Sequence, residues 1–106
     1  VMDPTDASPV EAAIRELREE TGYAGENARL IGSVFANPAI LNNTCHTVWI
    51  QNCRPAHALD LDHAEDLVTR LAPAAVIPRW VAEGRFRHSL VVVALYHFDL
   101  LRRHAR

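Results

Sequence analysis

Cysteine is scarce in this chain of 106 residues, and Cys45 and Cys53 are the only two. On one strand they would lie several residue pairs apart, too far to bridge, so both are expected as reduced thiols in a packed strand. Long apolar runs are missing as well. The longest, 90–96, falls far short of the roughly 20 residues that cross a bilayer. No basic start leads into an apolar run, so no export signal is expected and the cytoplasm is the default compartment. Positive charge is not in excess either, because 11 Lys and Arg face 13 Asp and Glu for a net charge of -2. Such a balance gives no overall positive field, and neither nucleic acid nor a membrane surface is an expected partner. Internal repeats and low-complexity tracts are absent.

What remains is 49% hydrophobic and 23% charged, the composition of a single soluble globular domain able to build a core without disulfide or metal staples. Residues 8–22 carry the clearest local signals. Ser8 suits an N-cap, Pro9 the first helical position, and Glu11 completes a capping box three residues on. Val10, Ala13, Ile14 and Leu17 repeat at helical spacing as one apolar stripe, and Gly22 is placed to end the helix in the left-handed conformation. Residues 29–35 predict a strand that stops at Asn37-Pro38, and 44–52 alternates as a second strand. Residues 54–64 hold no period and predict an exposed loop. A third strand is expected over 65–71, a short helix over 74–83 closed by Gly84, and a closing helix over 89–104, with strand as the alternative around Val91, Val92 and Val93. Three strands make a thin sheet.

Chemistry concentrates in the first helix. Glu16, Glu19 and Glu20 are spaced three and four apart, which puts their carboxylates on one face, away from Ile14 and Leu17. Clustered carboxylates repel, and Arg15 (four residues before Glu19) and Arg18 relieve part of that repulsion. A hard divalent ion relieves more, since Mg²⁺ favours carboxylate oxygens, keeps several waters and completes its shell with substrate phosphates. On spacing alone, a solvated and salt-bridged helix face is the simpler reading.

The string Arg15-Glu16-Leu17-Arg18-Glu19-Glu20-Thr21-Gly22-Tyr23 resembles the second half of the Nudix box, in which Arg-Glu, an apolar residue, any residue, Glu-Glu, any residue, Gly and an apolar residue follow one another. All specified positions of that half are met. The resemblance implies that Glu16, Glu19 and Glu20 are metal ligands of a pyrophosphohydrolase, that Arg15 orients the glutamates, that Gly22 turns the chain back into the sheet, and that Leu17 and Tyr23 are core. The first half departs from the pattern: Ala7 stands where Glu is expected and Val1 where Gly is expected, or, with one residue inserted, Asp6 takes the acidic position. Residues 1–106 therefore resemble a partial Nudix hydrolase domain. The implied fold is α/β, a Nudix-type α/β/α sandwich with a mixed sheet, N-terminally truncated so that its leading strands are missing.

Beyond the box, Gly32-Ser33-Val34, Asn37-Pro38-Ala39, Asn42-Asn43 and His46-Thr47-Val48 resemble the strand, loop and strand of members that hydrolyse ADP-ribose and ADP-sugars. The resemblance implies Mg²⁺ as cofactor, with Mn²⁺ as the alternative, a small-molecule nucleotide as substrate, and a homodimer as one option for assembly. Glu65, beside Asp66, is the implied general base or added metal ligand, against a solvated loop carboxylate. The leading function is hydrolysis of a nucleoside diphosphate linked to another group. Its rivals are a non-catalytic nucleotide-binding module of the same family and an inactive truncated domain. No pair among the six histidines has zinc-site spacing with supporting Cys. His46 is weighed as a substrate contact against a structural role, and Trp49 and Trp80 as base-stacking rings against packing.

Overall fold

Helix α1 runs over Pro9–Thr21, and its two ends are fixed by the residues that mark them in the sequence. In the computed structural model, which describes residues 7–36, 44–57 and 68–104, extended Ser8 accepts a hydrogen bond on Oγ from the Glu11 N–H at 3.2 Å. The Glu11 carboxylate reaches back one residue further than a capping box requires, accepting from the Ala7 N–H at 3.2 Å. At the other end Gly22 has φ 74°, and its N–H closes on the Arg18 carbonyl at 2.9 Å. Only glycine takes that conformation without steric cost.

Strand β1 spans Tyr23–Phe35 and β2 spans Thr44–Pro55. They pair as the one sheet of the described residues. Their partners run in opposite directions, Glu26 with Asn52, Arg29 with Trp49 and Ser33 with His46, so the pair is antiparallel. Both strands are longer than the sequence suggests. Residues 23–28 contain Gly25 and Asn27, which mask the strand pattern for separate reasons. A Cβ on Gly25 would fall 2.5 Å from the Gln51 carbonyl oxygen and 2.8 Å from Cys53 Sγ. Asn27 and Asn52 both sit at φ 53°, a left-handed conformation that Asn tolerates better than most residues and that bends a strand locally.

The chain divides into two compact units. Unit 1, Val1–Leu30 with Val48–Thr69, contains α1 and the adjoining stretches of both strands. There the Gly22 carbonyl accepts from both Ala56 and His57 N–H groups, each at 2.9 Å. Unit 2, Ile31–Thr47 with Arg70–Arg106, contains the rest of the strands and the helical segment. A 3₁₀ turn at Ala74–Val76 leads into α2, Ile77–Ala82, and α3 follows at Ser89–His104. His88 starts α3: its Nδ1 accepts from the Leu90 N–H and its carbonyl from the Val91 and Val92 N–H groups, all at 3.1 Å. Arg102 Nη1 donates to the Ala74 carbonyl at 3.3 Å. α3 also lies close on β1, where a Cβ on Gly32 would stand 2.5 Å from His97 Nε2.

Several expectations change. Residues 68–71 form no strand, and 65–67 lie outside the described residues, as do Asn37, Pro38, Ala39, Asn42 and Asn43. The α-helix Ile77–Ala82, with Pro78 in its first turn, is shorter than 74–83 because Ala74–Val76 form a 3₁₀ turn. Val91, Val92 and Val93 are helical. Both cysteines are free, as expected, but Cys53 is exposed rather than packed. The α1 stripe is the largest correction. Ile14 is 46% exposed, while Ala12, at 3%, is the buried apolar residue of α1. Helical spacing puts Ala12 on the face of Glu16 and Glu19, so the better covered side of α1 is the one that carries the carboxylates.

Candidate functional site

Side chains on α1 build the site, and its geometry is set by one guanidinium. Arg15 Nη1 donates to Glu19 Oε2 at 3.1 Å, and Nη2 stands 3.9 Å from Glu16 Oε1. The Glu19 side chain is only 14% exposed, against 31% for Glu16 and 23% for Arg15. A half-covered ion pair of this kind is screened less than a surface pair. It fixes the Glu19 carboxylate against the helix instead of leaving it among solvent rotamers. Glu20, half-buried, follows on the same turn.

The base of the site is held from outside the carboxylate set. Thr21 Oγ1 donates to the Leu17 carbonyl at 2.6 Å and accepts from the Tyr23 N–H at 3.1 Å. Together with the two N–H groups on the Gly22 carbonyl, this ties the C-terminal end of α1 to the start of β1 and the end of β2. Sequence reasoning passed over Thr21, because the box leaves that position open. A hydroxyl one residue before a helix-ending glycine was the available signal. Ala56 and His57 act through their backbones and leave no trace in side-chain pattern.

The sequence also named residues that the helix does not gather. Glu65 and Asp6 lie outside the described residues. Ala7 is exposed, and its N–H is taken by Glu11, so Glu11 is occupied in capping and does not stand in for the missing acidic residue. His46 Nδ1 is 2.8 Å from Ser33 Oγ, a cross-strand hydrogen bond that accounts for it structurally. Arg29 lies 5.0 Å over the Trp49 ring, and Arg85 lies 5.0 Å over that of Trp80. Both indoles therefore make cation–π contacts.

Three carboxylates on one helical face suit a hard cation by donor chemistry. Among the described residues, no three or more His, Cys, Asp or Glu side chains converge as an all-protein metal cage. Mg²⁺ does not need one, since it commonly binds through one or two carboxylates and fills its shell with water and phosphate oxygens. The donor set fits such a partly hydrated ion.

An arginine-clamped glutamate helix, ended by a left-handed glycine and leading into an antiparallel pair, defines a class of α/β protein. The profile described as NUDIX domain matches residues 1–90, and the chain belongs to the Nudix family. It is similar to an ADP-sugar pyrophosphatase of Mus musculus, 32% identical over 105 residues, which cover 92% of this chain and 48% of the relative. A solved structure, "Crystal structure of ADP compounds hydrolase", superposes with a TM-score of 0.74 at 24% identity over 99% of this chain and 56% of the other. That likeness shows the fold. The chain spans about half the length of the curated relative. No helix among the described residues is long and apolar enough to cross a membrane.

Proposed function

We propose that residues 1–106, as part of one Nudix domain, contribute the metal-binding helix of a pyrophosphohydrolase. The substrate is a nucleoside diphosphate linked to another group, with ADP-ribose or an ADP-sugar first, and the cofactor is Mg²⁺ with Mn²⁺ as substitute. The observation that carries this reading is the complete second half of the box on α1, with Glu16 and Glu19 held by Arg15. The names of the two relatives, an ADP-sugar pyrophosphatase and an ADP compounds hydrolase, support the substrate class.

In this reading Glu16, Glu19 and Glu20 hold the divalent ion, and Arg15 keeps two of them oriented before it binds. A bound ion supplies neutralisation of the diphosphate charge and acidification of a water molecule. The protein positions the scissile diphosphate for in-line attack and provides a carboxylate to take the proton. Glu65 is the proposed proton acceptor. Thr21 and Gly22 keep the helix end, and with it Glu19 and Glu20, in register with the strands.

A second reading, a nucleotide-binding module without turnover, is favoured by one observation: without an insertion Ala7 stands at the acidic position, and Glu11 is engaged elsewhere. The test is AMP release from ADP-ribose with and without Mg²⁺, comparing this chain with Glu19→Gln. Metal-dependent release that falls by about 10²-fold or more in Glu19→Gln supports the hydrolase, in line with the loss of a ligand to a catalytic ion. ADP-ribose binding by calorimetry without any AMP release supports the module and overturns the hydrolase for this chain.

A further inference from the structure

The net charge of -2 conceals a division. Unit 1 holds four arginines against eleven carboxylates, a balance of -7, whereas unit 2 holds seven arginines against Glu83 and Asp99 alone, a balance of +5. The chain has no lysine, so all 11 of its permanent cationic side chains are arginine. Whole-chain charge therefore misstates the field that a polyanion meets at unit 2, and the expectation that excludes nucleic acid rests on that total.

Both carboxylates of unit 2 are already engaged within it. Glu83 binds Arg85 at 2.9 Å and stands 3.9 Å from Arg79, while Asp99 binds Arg103 at 2.7 Å. No acidic side chain of unit 2 is left for exposed Arg70, Arg87 and Arg102. These three come from separate places: the segment before the 3₁₀ turn, the connection between α2 and α3, and the last turn of α3. Arg102 is also oriented, by its bond to the Ala74 carbonyl and its place 5.9 Å over the Phe98 ring. Aromatic surface accompanies the charge. Tyr96 is 62% exposed, and Trp80 lies under the Arg85 guanidinium.

We propose that unit 2 is a binding surface for single-stranded nucleic acid, with Arg70, Arg87 and Arg102 on phosphates and the Tyr96 ring available for base stacking. Guanidinium groups form bidentate bonds with phosphate, and positive charge combined with exposed rings is what sequence-tolerant single-strand binding uses. A membrane surface fits less well. The large exposed apolar residues of unit 2, Phe35, Leu71, Val91 and Tyr96, come from a strand end, the segment before the 3₁₀ turn and α3 rather than from one amphipathic helix, and Val91 and Tyr96 lie about 140° apart on α3. Unit 1, with its balance of -7, offers phosphate no such charge. This inference stands independently of the hydrolase reading.

The experiment is fluorescence anisotropy of a labelled 20-nucleotide oligouridylate titrated with the full chain at 50 and 200 mM salt. Three phosphate contacts predict that affinity falls about 20-fold between the two salts. Arg70→Gln/Arg87→Gln/Arg102→Gln is expected to lose at least tenfold in affinity at 50 mM salt. Arg54→Gln in unit 1 is expected to bind as the parent does. Far-UV circular dichroism checks the triple variant. Should that variant misfold, Arg87→Gln alone, at an exposed site between helices, is expected to flatten the salt dependence by the share of one phosphate. Absence of binding at 50 mM salt overturns the proposal, as do arginine variants that bind like the parent. Binding to phosphatidylserine vesicles but not to the oligonucleotide overturns it in favour of a lipid surface.

Discussion

Arg15 places positive charge against Glu16 and Glu19, a role that a bound divalent ion would share. Arg15→Gln is expected to lower stability by about 0.5–1 kcal/mol in EDTA, the scale of a partly exposed pair. Saturating Mg²⁺ is then expected to raise Tm more in the variant than in the parent. Equal Mg²⁺ shifts in the two proteins would show that guanidinium and metal do not share the carboxylates. Gly22 is a stricter position because its φ of 74° suits few side chains and its carbonyl carries two N–H groups. Gly22→Ala is expected to cost about 1–2 kcal/mol in urea denaturation. The site was legible at this scale wherever one turn of helix decides the geometry. Arg15, Glu16, Glu19 and Glu20 all lie within five residues of one another, and helical spacing alone puts them together. Thr21 and the Ala56 and His57 amides escaped because their work is done by groups that a residue pattern does not record.

Elements were legible where local chemistry fixes their ends. Ser8 and Gly22 bracket α1 to within a residue, and Ser8→Ala is expected to cost about 1 kcal/mol by thermal melting. The strands were harder to read, for physical reasons. Gly25 is required by the close passage of β2, and Asn27 by a left-handed bend, so both look like turn residues from sequence. The burial of α1 depends on tertiary contacts, which is why Ile14 is half-exposed and Ala12 buried against the apparent stripe. The seating of α3 on β1 was not legible at all, because nothing in sequence links Gly32 to His97. A Cβ at Gly32 would enter the imidazole ring. Gly32→Ala is therefore expected to destabilise by about 1–3 kcal/mol, the usual cost of overpacking. The double variant Gly32→Ala/His97→Ala should recover part of the loss, and no recovery in urea titrations would place the strain elsewhere.

At the scale of the molecule, what matters is the surface that the described residues expose. Part of that surface is apolar: Leu71 is 80% exposed, Phe35 62% and Leu30 47%. Surfaces of this kind favour association. Sedimentation velocity at about 10 and 200 µM is expected to show the weight-average mass rising with concentration, and a constant monomer mass would contradict it. The family was legible from nine consecutive residues. The division of charge was not, since it depends on which segments fold together.

One consequence lies in the placement of the tryptophans, Trp49 in unit 1 beside Arg29 and Trp80 in unit 2 beside Arg85. Each unit carries its own fluorophore, and each indole has a cation at its face that unfolding removes. Trp49→Phe and Trp80→Phe would thus turn one chain into two single-colour reporters. Comparing their melting curves would reveal whether the glutamate-bearing helix and the arginine-rich segment unfold as one cooperative body or in succession.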